Sequence, residues 1–270
     1  MGFKFENKVA IITGSSQGIG KATAAALINE GAKVVLNGRN EERLLAAVKD
    51  LSAQGGDVFY VVGDVADKDQ AQAIIDKTLE HFGRLDILVN NAGISMRGDF
   101  SELKPEVFNQ VFNTNVIGVT NLTIPAMPHL KENKGSLIFI SSLAGIRGLP
   151  GLSAYCSSKM ALRAIAESIR IEEAGKGLHV GLIQVGITEI EFAKQTIGPD
   201  GKLMTISDRS KFKVMKKEKV AGAVIDNIKR RKFVTTLTGI GKLNSIMQSV
   251  MPSLVEKVLI RSIDKIKKRS

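Results

Sequence analysis

A chain of 270 residues with 44% hydrophobic residues and one cysteine, Cys156, can bury a single large core but cannot form an internal disulfide or a cysteine-rich metal site. Its net charge of +11 is lopsided, because residues 209–270 hold 17 Lys+Arg against 4 Asp+Glu while the first 208 hold 21 against 23. No apolar run is long enough to span a bilayer, and His81, His129 and His179 lack ligand spacing, so membrane-spanning and metal-centred classes drop out.

Taken in chain order, a β-like segment from Lys8 follows Met1 too closely for a secretory signal, and Glu6 stands where a myristoylation motif needs Ser or Thr. A cytoplasmic location is expected. Apolar, β-branched runs then alternate with helical patterns. Strands are predicted at Val9–Thr13, Lys33–Leu36, Val58–Val62, Asp86–Asn90, Leu137–Ser141 and His179–Gln184, with a seventh at Lys232–Leu237. Helices are predicted at Gly18–Glu30, Glu41–Ala53, Lys68–Phe82, Pro105–Leu130 and Leu152–Ala174. Strands apolar on both faces, alternating with helices, predict an α/β fold: one doubly wound, Rossmann-like domain with a mostly parallel seven-stranded sheet. That domain spans 1–240, and 241–270 reads as a helical extension.

The first strand runs into Thr13-Gly14-Ser15-Ser16-Gln17-Gly18-Ile19-Gly20 and then an alanine-rich helix. Glycines at a strand-to-helix turn let the backbone approach a pyrophosphate, and the helix N-terminus offers free N–H groups. The spacing, T-G-x-x-x-G-I-G, differs from the G-x-G-x-x-G fingerprint. Gly14, Ser16, Gln17, Gly18, Ile19 and Gly20 are therefore candidate cofactor contacts. After the second strand, Gly38 stands where an NAD-binding sheet carries an acid, and Arg39 follows. A guanidinium pairs with the 2′-phosphate of NADP, so NADP is the expected cofactor. Further on, Tyr155 and Lys159 lie four residues apart on a predicted helix, hence on one face. The ammonium favours the phenolate, which turns the phenol into a usable proton donor.

These ordered motifs, together with Asp64-Val65, Asn90-Asn91-Ala92-Gly93, Asn115 and Ser142, resemble the short-chain dehydrogenase/reductase family over roughly residues 6–190. The resemblance implies that Asp64 and Val65 flank the adenine and that Asn91, Ala92 and Gly93 support the central strand and the cofactor ribose. It implies that Tyr155 is the acid or base, that Lys159 also holds the nicotinamide ribose, and that Ser142 hydrogen-bonds the substrate oxygen. Asn115 would hold a water linking Lys159 to solvent. Either Ser141 or Ser142 suits the substrate role, and the 13-residue interval to Tyr155 favours Ser142. Family members also form oligomers, so a dimer or tetramer is expected.

After the sixth strand the sequence departs from that pattern. Val185 replaces a proline, and Ile190 takes the usual Thr place, leaving Thr188 two residues early as the candidate nicotinamide contact. A polar, aperiodic stretch around 187–217 reads as a substrate lid or a plain surface loop. In the extension, apolar residues at 243, 246, 247, 250 and 251 precede Pro252. Leu254, Val255, Val258, Leu259, Ile263 and Ile266 then form a second stripe opposite basic residues. Such helices pack on the domain or another subunit, lie on an anionic membrane surface, or meet an acidic protein partner, with nucleic acid ranked last.

The expected activity is NADP-dependent interconversion of a carbonyl and an alcohol, in the reductive direction, on an apolar lipid-, fatty-acyl- or steroid-like substrate. The rivals are a 3-oxoacyl carrier-protein reductase and a non-catalytic cofactor-binding scaffold.

Overall fold

In a computed structural model, residues 4–189, 195–205 and 214–262 are described. The chain order is β1 (Val9–Ile12), α1 (Gly18–Asn29), β2 (Lys33–Gly38), α2 (Glu41–Ser52), β3 (Val58–Val62), α3 (Lys68–Phe82) and β4 (Ile87–Asn90). There follow α4 (Pro105–Phe112), α5 (Gly118–Glu132), β5 (Ser136–Ser142), α6 (Ser153–Glu172) and β6 (His179–Val185). The last elements are β7 (Gln195–Ile197), β8 (Leu203–Thr205), α7 (Lys217–Arg230), β9 (Val234–Thr236), α8 (Gly239–Val250) and α9 (Pro252–Arg261).

Seven strands form one sheet in the order β3-β2-β1-β4-β5-β6-β9, and every pairing in it is parallel. Every residue of β1, β4 and β6 is buried, as a sheet covered on both sides requires. One core joins Ile12, Val34 and Ile183 to Leu27 of α1 and Val224 of α7. The other joins Ile11, Leu88 and Phe139 to Ile74 of α3, Leu122 of α5 and Leu162 of α6. Chain order reverses between β1 and β4, and the crevice beyond the strand ends at such a switch point is where open α/β sheets bind ligands.

Local chemistry sets the helix ends. Asn40 caps α2 by accepting from the Arg43 N–H, and Asp67 caps α3 by accepting from the N–H groups of Asp69 and Gln70. Gly83, at φ +72°, closes α3 in the left-handed conformation. At the other end of β4's approach, fully buried Asp86 accepts from both Arg84 nitrogens at 2.7 Å, from Lys8 at 2.9 Å and from the Val9 N–H at 3.0 Å. Burial alone would raise its pKa, but these donors together hold it below the usual carboxylate range.

Two expectations are corrected. The helix expected over Pro105–Leu130 is interrupted: α4 and α5 are joined by one wide π turn, Asn113–Ile117, within which the Asn115 side chain bonds the Ile94 backbone. The aperiodic stretch after β6 also contains an antiparallel hairpin, β7–β8, whose three-residue strands are too short to register as alternation. Ile197 of β7 pairs beside Met96 and is buried with Val107, Val111 and Ala154. Residues 190–194 and 206–213 of the expected lid lie outside the described residues, as do Ile263, Ile266 and the basic residues beyond them.

Candidate active site

The turn after β1 is fastened to the turn after β4. Thr13 Oγ1 accepts from the N–H groups of Asn91 and Ala92, each at 2.9 Å, and Asn91 Nδ2 donates to the carbonyls of Thr13 at 2.8 Å and Gly14 at 3.1 Å. Gly14 (φ +60°) and Gly18 (φ +59°) hold backbone conformations that side chains disfavour. Gly20 is required for space, since a Cβ there would fall 2.5 Å from Gly14 O and 2.7 Å from Ser15 Cα. The first N–H groups of α1 are thereby presented at the crevice. Gln17, which precedes them, carries a buried Oε1 with no protein partner.

A cleft of about 390 Å³ opens here. Of the predicted contacts, Gly14, Ser16, Gln17, Arg39, Asp64, Val65, Asn91, Ala92 and Gly93 line it. Gly18, Ile19, Gly20, Tyr155, Lys159 and Thr188 lie outside this lining. Asn37, Asn40, Arg43, Ile94 and Thr114 line it too and escaped the sequence reading. Arg43 was within reach of that reading: it lies four residues beyond Arg39, at the start of the helix that Asn40 caps. Buried Asn37 is different, because its amide ties β2 to the carbonyls of Val61 and Gly63, a contact that exists only in the assembled sheet.

Two guanidiniums, Arg39 and Arg43, line the cleft, with Asp64 Oδ2 3.4 Å from Arg39 Nη1. An exposed pair this long contributes little to stability and leaves the Arg39 fork open to a stronger anion. The turn, the orphaned Gln17 oxygen and these lining guanidiniums fit a nicotinamide dinucleotide, whose pyrophosphate the N–H groups at the start of α1 would hold.

The Lys159 ammonium and the Tyr155 ring lie near each other beyond this lining. Lys159 is buried, and its Nζ donates to Ile140 O at 3.0 Å and lies 5.9 Å from the Tyr155 ring centroid. A Cβ at Gly93 would come within 3.4 Å of Lys159 Nζ and 3.1 Å of Asn115 Oδ1, so glycine lets the cleft wall touch both. Asn115 is fully buried, and both ends of its amide are hydrogen-bonded. Oδ1 accepts from the Ile94 N–H at 2.8 Å, while Nδ2 donates to Ile94 O at 2.9 Å and Ser158 Oγ at 3.0 Å. The Asn115 side chain thereby fixes the segment after β4 to α6.

The two serines separate cleanly. Ser141 is buried and donates to the Lys159 carbonyl at 3.2 Å, which assigns it to packing β5 against α6. Ser142 ends β5 on the opposite face, less buried, with its Oγ accepting only weakly from Ala144 N–H at 3.2 Å. Thr188 sits beside Met215 and donates to Gly186 O at 3.3 Å. Cys156 is buried, and burial pushes its thiol pKa up, away from reactivity.

Comparison with known proteins agrees with this geometry. An uncharacterised oxidoreductase of Thermotoga maritima is 37% identical over 227 residues, 82% of this chain and 90% of that protein. A 3-oxoacyl-(acyl-carrier-protein) reductase of the same organism is 36% identical over 187 residues, 69% of this chain and 76% of that protein. A short chain dehydrogenase/reductase from Burkholderia phymatum, solved with NAD, superposes with a TM-score of 0.82 at 25% identity, covering 93% of this chain and 96% of that one. An alcohol dehydrogenase from Thermococcus sibiricus, solved with 5-hydroxy-NADP, gives 0.73 at 29% identity, covering 85% and 94%. The family model described as short chain dehydrogenase matches residues 8–199, and with the parallel sheet and the glycine-built cleft this places the chain in the short-chain dehydrogenase/reductase family of oxidoreductases.

Proposed function

We propose that the protein is an NADP-dependent carbonyl reductase acting on an apolar substrate. One observation carries the chemistry: the buried Lys159 ammonium, fixed by Ile140 O, lies 5.9 Å from the Tyr155 ring centroid and close to the cleft wall at Gly93. When bound, the nicotinamide supplies a hydride to the carbonyl carbon. Tyr155 Oη delivers a proton to the carbonyl oxygen, and the adjacent Lys159 charge stabilises the negative charge left on the phenol oxygen. The Ser142 hydroxyl donates to the same substrate oxygen and steadies charge as it develops there. Asn115 positions rather than reacts, by locking Ile94 to Ser158 on α6.

The choice of NADP rests on Arg39 and Arg43 in the cleft lining, with Gly38 where a carboxylate would otherwise repel a 2′-phosphate. An apolar substrate is favoured by the exposed Ile187, Leu203, Met204 and Val214, which follow β6. A second reading, 3-oxoacyl carrier-protein reduction, is supported by the Thermotoga maritima relative of that name. The test is NADPH consumption across ketones and aldehydes of increasing chain length, with free-coenzyme and carrier-protein thioesters included. Turnover that rises with chain length, and falls about 10²–10⁴-fold in Tyr155→Phe with nucleotide binding retained, is the expected outcome. Near-normal turnover by that variant refutes the mechanism, and strict dependence on a carrier protein selects the second reading.

A further inference from the structure

The last two helices carry an apolar face that no other part of the described chain covers. α8 buries only Gly241, and α9 buries nothing. Ile240, Leu243, Ile246 and Val250 recur at three- and four-residue spacing along α8 and are 60–83% exposed. Leu254 and Val258 extend the exposed apolar surface along α9. A contiguous patch of this kind on a folded chain marks an interaction surface.

Charge identifies what covers it. Residues 239–270 hold seven Lys+Arg against two Asp+Glu. Lys257 and Arg261 are exposed on α9, three residues beyond Leu254 and Val258 respectively, so cations border the apolar surface directly. A second copy applied to this face would bring like charges together as water is excluded. An anionic bilayer surface satisfies both halves at once, taking the apolar stripe into the acyl boundary and pairing the cations with headgroups. Among the described residues no helix is long and apolar enough to cross a membrane, so these helices lie on a surface and do not span it.

Their anchoring gives the contact a consequence. A Cβ at Gly241 would fall 2.5 Å from Leu143 Cδ2, and one at Gly186 would fall 3.2 Å from Thr238 Cγ2. The start of α8 is therefore seated on the residue after Ser142 and on the end of β6. We propose that α8 and α9 form a docking face for an anionic phospholipid surface, which would hold the substrate end of the cleft near the membrane. The contact is independent of which reaction the site performs.

The experiment floats the full-length protein with phosphatidylcholine vesicles, with and without phosphatidylglycerol, at low and high salt. Flotation with anionic vesicles is expected, roughly tenfold weaker on neutral ones and weakened by salt, which screens charges beyond ~10 Å at 0.1 M. The pair Ile246→Glu/Val250→Glu should lower binding by at least about tenfold, and Lys257→Glu/Arg261→Glu should remove the preference for anionic lipid. All four side chains are exposed, and an unchanged circular dichroism spectrum confirms that the variants fold. Absence of flotation with anionic vesicles, or equal flotation of wild type and the Ile246/Val250 pair, overturns the proposal. So does a wild-type dimer dissolved by that pair, or capture by an acidic carrier protein, when either occurs without vesicle binding.

Discussion

His179 opens β6 and is only 4% exposed, with Nε2 3.0 Å from Lys232 O and Nδ1 3.3 Å from Ser136 Oγ. A carbonyl can only accept, so Nε2 carries the proton and Nδ1 of the neutral ring accepts from the Ser136 hydroxyl. Burial lowers the pKa from 6.5 to about 4, against the Lys232 carbonyl and with help from the charges of Arg231 and Arg170. The unfolded chain therefore takes up a proton near pH 6.5, and the folded chain only near 4. Stability is present in full above 6.5 and is lost as pH falls towards 4, by about 3 kcal/mol in total and about 2 kcal/mol by pH 5. Carboxylates with lowered pKa, such as Asp86 and Glu173, withdraw their contribution only below about 3.8 to 4.5, so the window between about pH 7.5 and 5 isolates the histidine. The chain has no tryptophan, so urea unfolding is followed by far-ultraviolet circular dichroism. The assay compares wild type with His179→Gln, whose amide keeps a donor for Lys232 O but does not titrate. The wild type should lose about 2 kcal/mol more than the variant across that window. Equal losses would refute the assignment of a buried, neutral His179.

Replacing Arg39 or Arg43 by alanine should weaken NADPH binding by about tenfold each and leave NADH binding unchanged, as read by fluorescence titration of both nucleotides. A variant lacking both guanidiniums that still preferred NADPH would remove the 2′-phosphate assignment. Gly20→Ala forces a methyl group onto two backbone atoms, and the expected cost is ~1–3 kcal/mol in thermal unfolding together with weaker nucleotide binding. Unchanged stability in that variant would show that the turn has slack which the geometry does not contain.

Much of this protein was legible as sequence because it depends on short-range periodicity. Strand runs apolar on both faces and capped helices located the parallel sheet to within a few residues. The glycine turn and the four-residue spacing of Tyr155 and Lys159 are likewise local, fixed by backbone conformation and helical pitch. What required the folded chain were relations between distant segments. The interval to Tyr155 favours Ser142 over Ser141 in sequence, but that Ser141 is tied to the Lys159 carbonyl of α6 is visible only in the fold. Asn115 enters the sequence reading as a motif residue, but its amide bridge between Ile94 and Ser158, and the π turn in which it sits, are announced by no helical periodicity. The amphipathic pattern of the C-terminal helices appeared in the sequence, but a pattern cannot say whether the apolar side is covered. Only the packed structure leaves Ile246 and Val250 in solvent, because burial belongs to whichever surfaces meet across the fold and not to the residues themselves.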